Sequence, residues 1–425
     1  MEIRRRTALT GLAALGGLGV APKVYAQAKQ APSEIKIGEL YASTGPFAAI
    51  SMPVYYGVRL WIDVENAKGG AYVKAFDKRI PIKLIAYDDQ SSTATAATLI
   101  NQLITQDKVD MLVSDSGSVL TSVAVPIARE HKQFLFDPTG TGAPFFTNPD
   151  PMIALLADPA STIWPKYAAE FLNKEGPKHG IKTVAILYCT NDFTGTQATA
   201  FKKFFNEAGT LKIVYDQGVP TNTSNYTVLI NNIAAANPDA VIQLGYPGND
   251  IAFLRNLRDL GQKFKFVFTV YSGAEPEELL KAVGADGLIG GFTYVTGAEY
   301  EYKVTTGMNL PEYRQAWTKK YANTPGTAFG LNAIAGYTVG IVLQETLAHA
   351  KSLDQQDLKE AVFGLSGKLT SLAGPFELDK FGAQVGEITP LGQVASDGKG
   401  GIKFNVVYPE QYKTADAEIG TFGNK

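Results

Sequence analysis

From position 34 onward the apolar residues recur in two alternating rhythms. Residues 35–40 and 80–87 are short strand-like runs, and between them Val54, Val58, Trp61 and Ile62 follow helical spacing. The stripe Leu99, Ile100, Leu103 and Ile104 predicts a helix over 96–107 that feeds a strand at 109–113. A helix over 121–131 then precedes a strand at 133–137. Alternation of this kind predicts a parallel sheet covered on both faces.

The alternation restarts after a proline-containing stretch. Strands are predicted at 182–188, 211–216, 239–245 and 264–269, with helices at 195–208, 223–236, 250–260 and 275–283. Helices at 311–321, 331–350 and 354–363 follow, and the glycine-rich 364–401 reads as short strands and loops. The fold class is therefore α/β, with two doubly wound parallel-sheet lobes. In such sheets ligands bind beyond the carboxyl ends of the strands, and two such edges facing each other make a cleft that can close.

The first thirty positions break the pattern. Arg4, Arg5 and Arg6 precede an uncharged run over 8–20 and a small-residue stop at Val24-Tyr25-Ala26, which matches an export signal at 1–26 cleaved after Ala26. The run falls short of the ~20 residues that span a bilayer. The arginine pair resembles a twin-arginine signal, with Arg4 where Ser or Thr is usual. Loss of 1–26 takes basic residues from 39 to 35 and acidic ones from 41 to 40, so the mature chain carries about −5. This charge offers no patch for nucleic acid or anionic lipid. Cys189 is the only cysteine, so core packing and not disulfides must hold the exported chain together.

Catalytic sets are missing from the sequence. His131, His179 and His349 lie far apart and never at metal-ligand spacing, and neither a GxSxG nor a phosphate-binding glycine loop is present. No enzyme activity and no cofactor are expected. Polar chemistry gathers instead where strands end: Ser114-Asp115-Ser116-Gly117-Ser118 follows the strand at 109–113, and Pro138-Thr139-Gly140-Thr141-Gly142 follows that at 133–137. Such loops combine backbone N–H groups with hydroxyls, which suits a carboxylate or amide oxygen.

Specific segments then carry a resemblance. Ile35-Lys36-Ile37-Gly38 through Ser43-Thr44-Gly45-Pro46, Asn66-Ala67-Lys68-Gly69-Gly70, Tyr87-Asp88-Asp89 and Asp137-Pro138-Thr139-Gly140-Thr141 are similar to the leucine/isoleucine/valine-binding family of ABC importer solute receptors. Asn191-Asp192-Phe193, Tyr246 after 239–245, and Phe253-Leu254-Arg255 extend the similarity over essentially the whole mature chain. The resemblance implies a type I periplasmic-binding fold, two lobes joined by a hinge of three crossovers, and ligand capture by hinge closure without turnover. It implies a first lobe of 34–157 plus 296–385, a second of 158–295 plus 386–412, and a tail at 413–425. Its implied partners are a small-molecule ligand and the membrane permease subunits of an importer, with the receptor itself a periplasmic monomer.

Carried over by position, Ser116, Gly117, Ser118, Thr139 and Thr141 fall where the first lobe holds a ligand carboxylate. Phe193 and Tyr246 fall where aromatics of the second lobe close over the ligand, and Phe329 near the hinge. Tyr271 and Ser272 occupy the segment where amino-acid-binding members place an acid for the ligand ammonium. That segment, Val270-Tyr271-Ser272-Gly273, contains no acid, although Glu275 lies three residues beyond Ser272 and Asp192 and Asp115 are candidate substitutes from elsewhere. An unpaired buried ammonium costs several kcal/mol, so the expected ligand is an aromatic or aliphatic acid without an amino group. An amino acid or amide receptor of the same importer class is the alternative. A sensor needs an output segment and a secreted enzyme needs a nucleophile and base, and neither is found in the sequence.

Overall fold

Burial on both faces explains the strands. Met111–Val113, Leu135–Asp137, Ile153–Leu155 and Ala240–Leu244 are buried at every position, as strands covered by helices on each side must be. The computed structural model describes residues 30–296 and 301–423. The export signal at 1–26 and its cleavage site lie outside the described residues.

A first, fully parallel sheet has the order Ile82–Asp88, Ile35–Tyr41, Met111–Val113, Leu135–Asp137, Ile153–Leu155. The second sheet is parallel through Lys212–Val219, Thr183–Cys189, Ala240–Leu244, Phe266–Thr269 and Phe292–Tyr294. Leu391–Ser396 and Ile402–Tyr408 close its edge antiparallel, so part of the glycine-rich segment completes this sheet. The chain passes between the sheets three times: after Leu155, after Tyr294 and before Leu391.

Helices Ala48–Asn66 and Leu331–His349 pack together beside the first sheet, and Thr93–Gln102 packs on Ser118–Glu130. Leu310–Tyr321 joins the first pair through Tyr313, whose hydroxyl donates to the Ala333 carbonyl at 2.5 Å, and Tyr321, whose hydroxyl donates to the Tyr56 carbonyl at 3.1 Å. Lys166–Lys174 packs on Asp192–Ala208 and on the antiparallel edge of the second sheet. Residues after 412 fold back on that sheet: the Gln393 amide donates to the Glu418 carbonyl at 2.7 Å, and the Gly420 N–H donates to the Lys265 carbonyl at 2.8 Å. Among the described residues no helix is long and apolar enough to cross a membrane.

Candidate functional site

At the carboxyl end of Met111–Val113 the chain turns at Gly117, whose φ of +85° suits a residue without a side chain, and helix Ser118–Glu130 begins at once. No side chain caps this helix. Its N-terminus therefore presents backbone N–H groups and the positive end of a helix dipole to whatever lies ahead of it. The Gly117 N–H donates to Thr139 Oγ1 at 3.0 Å, which locks the first strand-end loop onto the second. The Gly142 N–H donates to Ser118 Oγ at 3.1 Å, and the Thr141 hydroxyl shares a 2.7 Å hydrogen bond with Ser161.

The second sheet supplies the facing wall in the same way. Asn191 caps helix Asp192–Ala208 by accepting from the Phe193 and Thr194 N–H groups at 3.0 and 3.1 Å, so Phe193 stands at a strand end. Tyr246 directly precedes helix Pro247–Asp259, held by its N–H donating to Asn249 Oδ1 at 3.0 Å. The Tyr271 N–H donates to Asp250 Oδ2 at 2.8 Å. The three rings form one cluster, with centroids 5.6 Å apart for Phe193 and Tyr246, 6.2 Å for Tyr246 and Tyr271, and 6.4 Å for Phe193 and Tyr271. Trp164 meets Phe193 edge-on at 5.4 Å.

These walls enclose a cavity of only about 10 Å³. Ile50, Gly117 and Thr139 line it from the first sheet's side, Leu331 and Asn332 from the helix Leu331–His349, and Phe193, Tyr246 and Tyr271 from the second sheet's side. Asp158 and Trp164, on the first connection between the sheets, complete the lining. The seam is closed above it. Phe47 packs edge-on against Tyr246 at 5.1 Å, and the Ala143 N–H donates to Thr196 Oγ1 at 3.3 Å. A wider groove of about 780 Å³ runs along the seam between Ala143–Phe145 and Asp192–Ala208. It is open, and no buried unpartnered polar group lines it. The enclosed cavity is therefore the better candidate.

Five of the residues expected from the sequence meet at this cavity: Gly117, Thr139, Phe193, Tyr246 and Tyr271. Ser118 and Thr141 use their hydroxyls to brace the loops behind it. Ser116 is buried with an unpartnered hydroxyl, and Ser272 Oγ is bonded to Thr269 Oγ1 at 2.5 Å. Phe329 packs on Tyr313 and Trp317 with the Arg314 guanidinium 4.0 Å from its ring centre, away from the cavity lining.

Asp158 adds an acid that the sequence reading did not single out. It is buried, lines the cavity, and has one carboxylate oxygen with no hydrogen-bond partner. Burial, with Glu387, Asp137 and Glu275 nearby, pushes its carboxyl well above the usual carboxylate range. Burial also pushes Glu275 up to about 8, against the pull of Asn332, whose N–H and side-chain amide donate to Glu275 Oε1 at 3.0 and 2.6 Å. Glu275 thereby fixes Asn332 at the cavity wall. Among the described residues no group of three His, Cys, Asp or Glu side chains is placed to hold a metal ion.

Residues 34–399 match the family model described as periplasmic binding protein. The chain belongs to the periplasmic binding protein family. A Leu/Ile/Val-binding protein homolog from Brucella abortus is 25% identical over 397 residues, 91% of this chain and 94% of the relative. A periplasmic binding protein fold is equally plain in solved structures. The branched-chain amino acid transporter substrate-binding protein from Streptococcus pneumoniae, in complex with isoleucine, has TM-score 0.69 at 19% identity, covering 88% of this chain and 100% of that one. An ABC transporter solute-binding protein from R. palustris, in complex with 4-hydroxybenzoate, has TM-score 0.72 at 18% identity, covering 91% and 98%. The present chain thus has the type I periplasmic-binding fold of its family.

Proposed function

We propose that the protein captures a small carboxylate-bearing solute outside the cytoplasm, encloses it by hinge closure, and delivers it to the permease of an importer. In this reading the first lobe is 34–157 with 296–385, the second is 158–295 with 386–412, and 1–26 directs export. A cavity of about 10 Å³ is far below the few hundred Å³ of a small-molecule site, so entry of a ligand requires the lobes to part. The ligand carboxylate meets the N-terminus of Ser118–Glu130, beside Thr139, and its body lies among Trp164, Phe193, Tyr246 and Tyr271.

Asp158 carries the choice of ligand class. A ligand ammonium would supply the partner this buried oxygen lacks and draw the carboxyl into its ionised form, since no cation is bonded to it among the described residues. An amino acid with an apolar side chain is accordingly the preferred ligand. The second reading, a benzoate-like acid, draws support from the aromatic side chains of Trp164, Phe193, Tyr246 and Tyr271 at the cavity; where such an acid carries a ring hydroxyl, that hydroxyl would donate to Asp158. Mass spectrometry of the small molecule released from natively purified protein tests the proposal. A small carboxylic acid is expected, and a released compound without any carboxylate contradicts it.

A further inference from the structure

We infer that Asp137 is a positioning residue for the carboxylate end of the site, and that its protonation makes capture of an anionic group stronger in acidic than in alkaline medium. The inference rests on the proposed seat of the ligand carboxylate at the N-terminus of Ser118–Glu130.

Asp137 ends the strand Leu135–Asp137 and is fully buried. One of its oxygens accepts from Ser114 Oγ at 2.9 Å, Thr121 Oγ1 at 2.9 Å and the Gly140 N–H at 3.1 Å. Ser114 opens the loop that leads to Gly117, Thr121 lies in the first turn of the helix, and Gly140 separates Thr139 from Thr141. A single carboxyl group therefore ties together three segments that would surround a ligand carboxylate. The fit is close: a Cβ on Gly140 would stand 2.6 Å from Asp137 Oδ2. That second oxygen is buried without a partner.

The surroundings of Asp137 are acidic. Asp158, three residues past the adjacent strand Ile153–Leu155, feels the charge of Asp137 and also that of Glu275 and Glu387. On the other side Asp115 follows Met111–Val113 and accepts from the Ser51 hydroxyl. Helix Ser118–Glu130 offers Asp137 only the Thr121 hydroxyl, and no basic side chain pairs with it among the described residues. Burial raises the Asp137 carboxyl to about 6, against the pull of its three donors. Once ionised, it sets a negative charge behind the N–H groups that would hold the ligand anion. Affinity for the anion must then fall as pH rises through that value, and binding must draw a proton in.

The test is calorimetric affinity of the mature chain for leucine, phenylalanine and benzoate between about pH 5.5 and about pH 8, where these carboxylates stay ionised. Asp137→Asn keeps an acceptor for the three donors but cannot titrate. For whichever compound binds, the ratio of the wild-type Kd to that of Asp137→Asn should rise about tenfold over this range, because Asp158 and Glu275 titrate alike in both proteins. Ser114→Ala removes a donor that favours the charged form, so its pH profile should move to higher pH. Coinciding profiles for wild type and Asp137→Asn overturn the inference. If Asp137→Asn does not fold, an unshifted Ser114→Ala profile does so instead. If none of the carboxylates binds any of the proteins, the reading of the site fails and the inference falls with it.

Discussion

Tyr246 and Gly117 meet across the seam between the two sheets. A Cβ on Gly117 would stand 3.2 Å from the Tyr246 hydroxyl oxygen and 3.0 Å from the Ile50 methyl carbon. The hydroxyl is buried near the Ser118 and Val119 N–H groups without closing a hydrogen bond, so in this structure a tyrosine occupies the helix N-terminus proposed for the ligand carboxylate.

Gly117→Ala should weaken ligand capture, because Gly117 lines the cavity and an added methyl takes up space the ligand needs there. The methyl group crowds Tyr246 and Ile50, and alanine at φ +85° costs about 1 kcal/mol or more. The expected outcome is a Kd raised about tenfold, with Gly117→Ala/Tyr246→Phe recovering part of the loss. In small-angle scattering the wild type should become more compact at ligand saturation, and the variant less so. Equal radii for the wild type with and without ligand would contradict a closing hinge.

Close helix packing behind the site makes a separate prediction. Helix Leu331–His349 is buried over most of its circumference and meets Ala48–Asn66 at small residues: a Cβ on Gly336 would stand 2.1 Å from the Val54 carbonyl oxygen. Because backbone cannot yield as a side-chain tip can, Gly336→Ala should cost about 1–3 kcal/mol in chemical denaturation. A variant as stable as the wild type would show that this contact is not tight.

The buried acids predict how stability follows pH. Burial pushes Asp250, Glu275 and Glu387 up to about 8, and Asp89 and Asp137 up to about 6. Each binds its proton more tightly folded than unfolded, so its contribution is complete below about pH 4 and is lost as pH rises through its folded value. Asp239 behaves oppositely. Against the push of burial, Lys265 and the Lys182 and Thr183 N–H groups hold it at about 2, and its contribution is lost as pH falls toward that value. The melting temperature should therefore peak near pH 4 and decline steadily toward about pH 8.5. A melting temperature that rises over that upper range would contradict the burial of these groups as acids.

The alternation of strands and helices was legible because buried parallel strands leave dense apolar runs between helical stripes. Segments flanked by proline were not. Ile153–Leu155 and Lys166–Lys174 lie on either side of Pro159 and Pro165, and their short apolar runs do not show a period. Asp158 was hidden for the same reason: it stands beside Pro159 in a stretch with turn-like composition, while an acid was sought at 270–273. Ser118 was legible as a site neighbour but not in its role. The helix begins at Ser118 and not at 121, which turns its hydroxyl to the Gly142 N–H. Trp164 and Asn332 carry no local signal, because their place at the cavity depends on chain connections between the sheets.

The most direct measurement is calorimetric titration of the mature wild-type chain and of Asp158→Asn with leucine, phenylalanine and benzoate. The account predicts micromolar binding of at least one of them to the wild type. It further predicts that Asp158→Asn weakens the amino acids by roughly 10–100-fold, the cost of leaving an enclosed ammonium without its carboxylate, and weakens benzoate far less. Absence of binding by every carboxylate up to millimolar concentration, or amino-acid binding unchanged in Asp158→Asn, would contradict it.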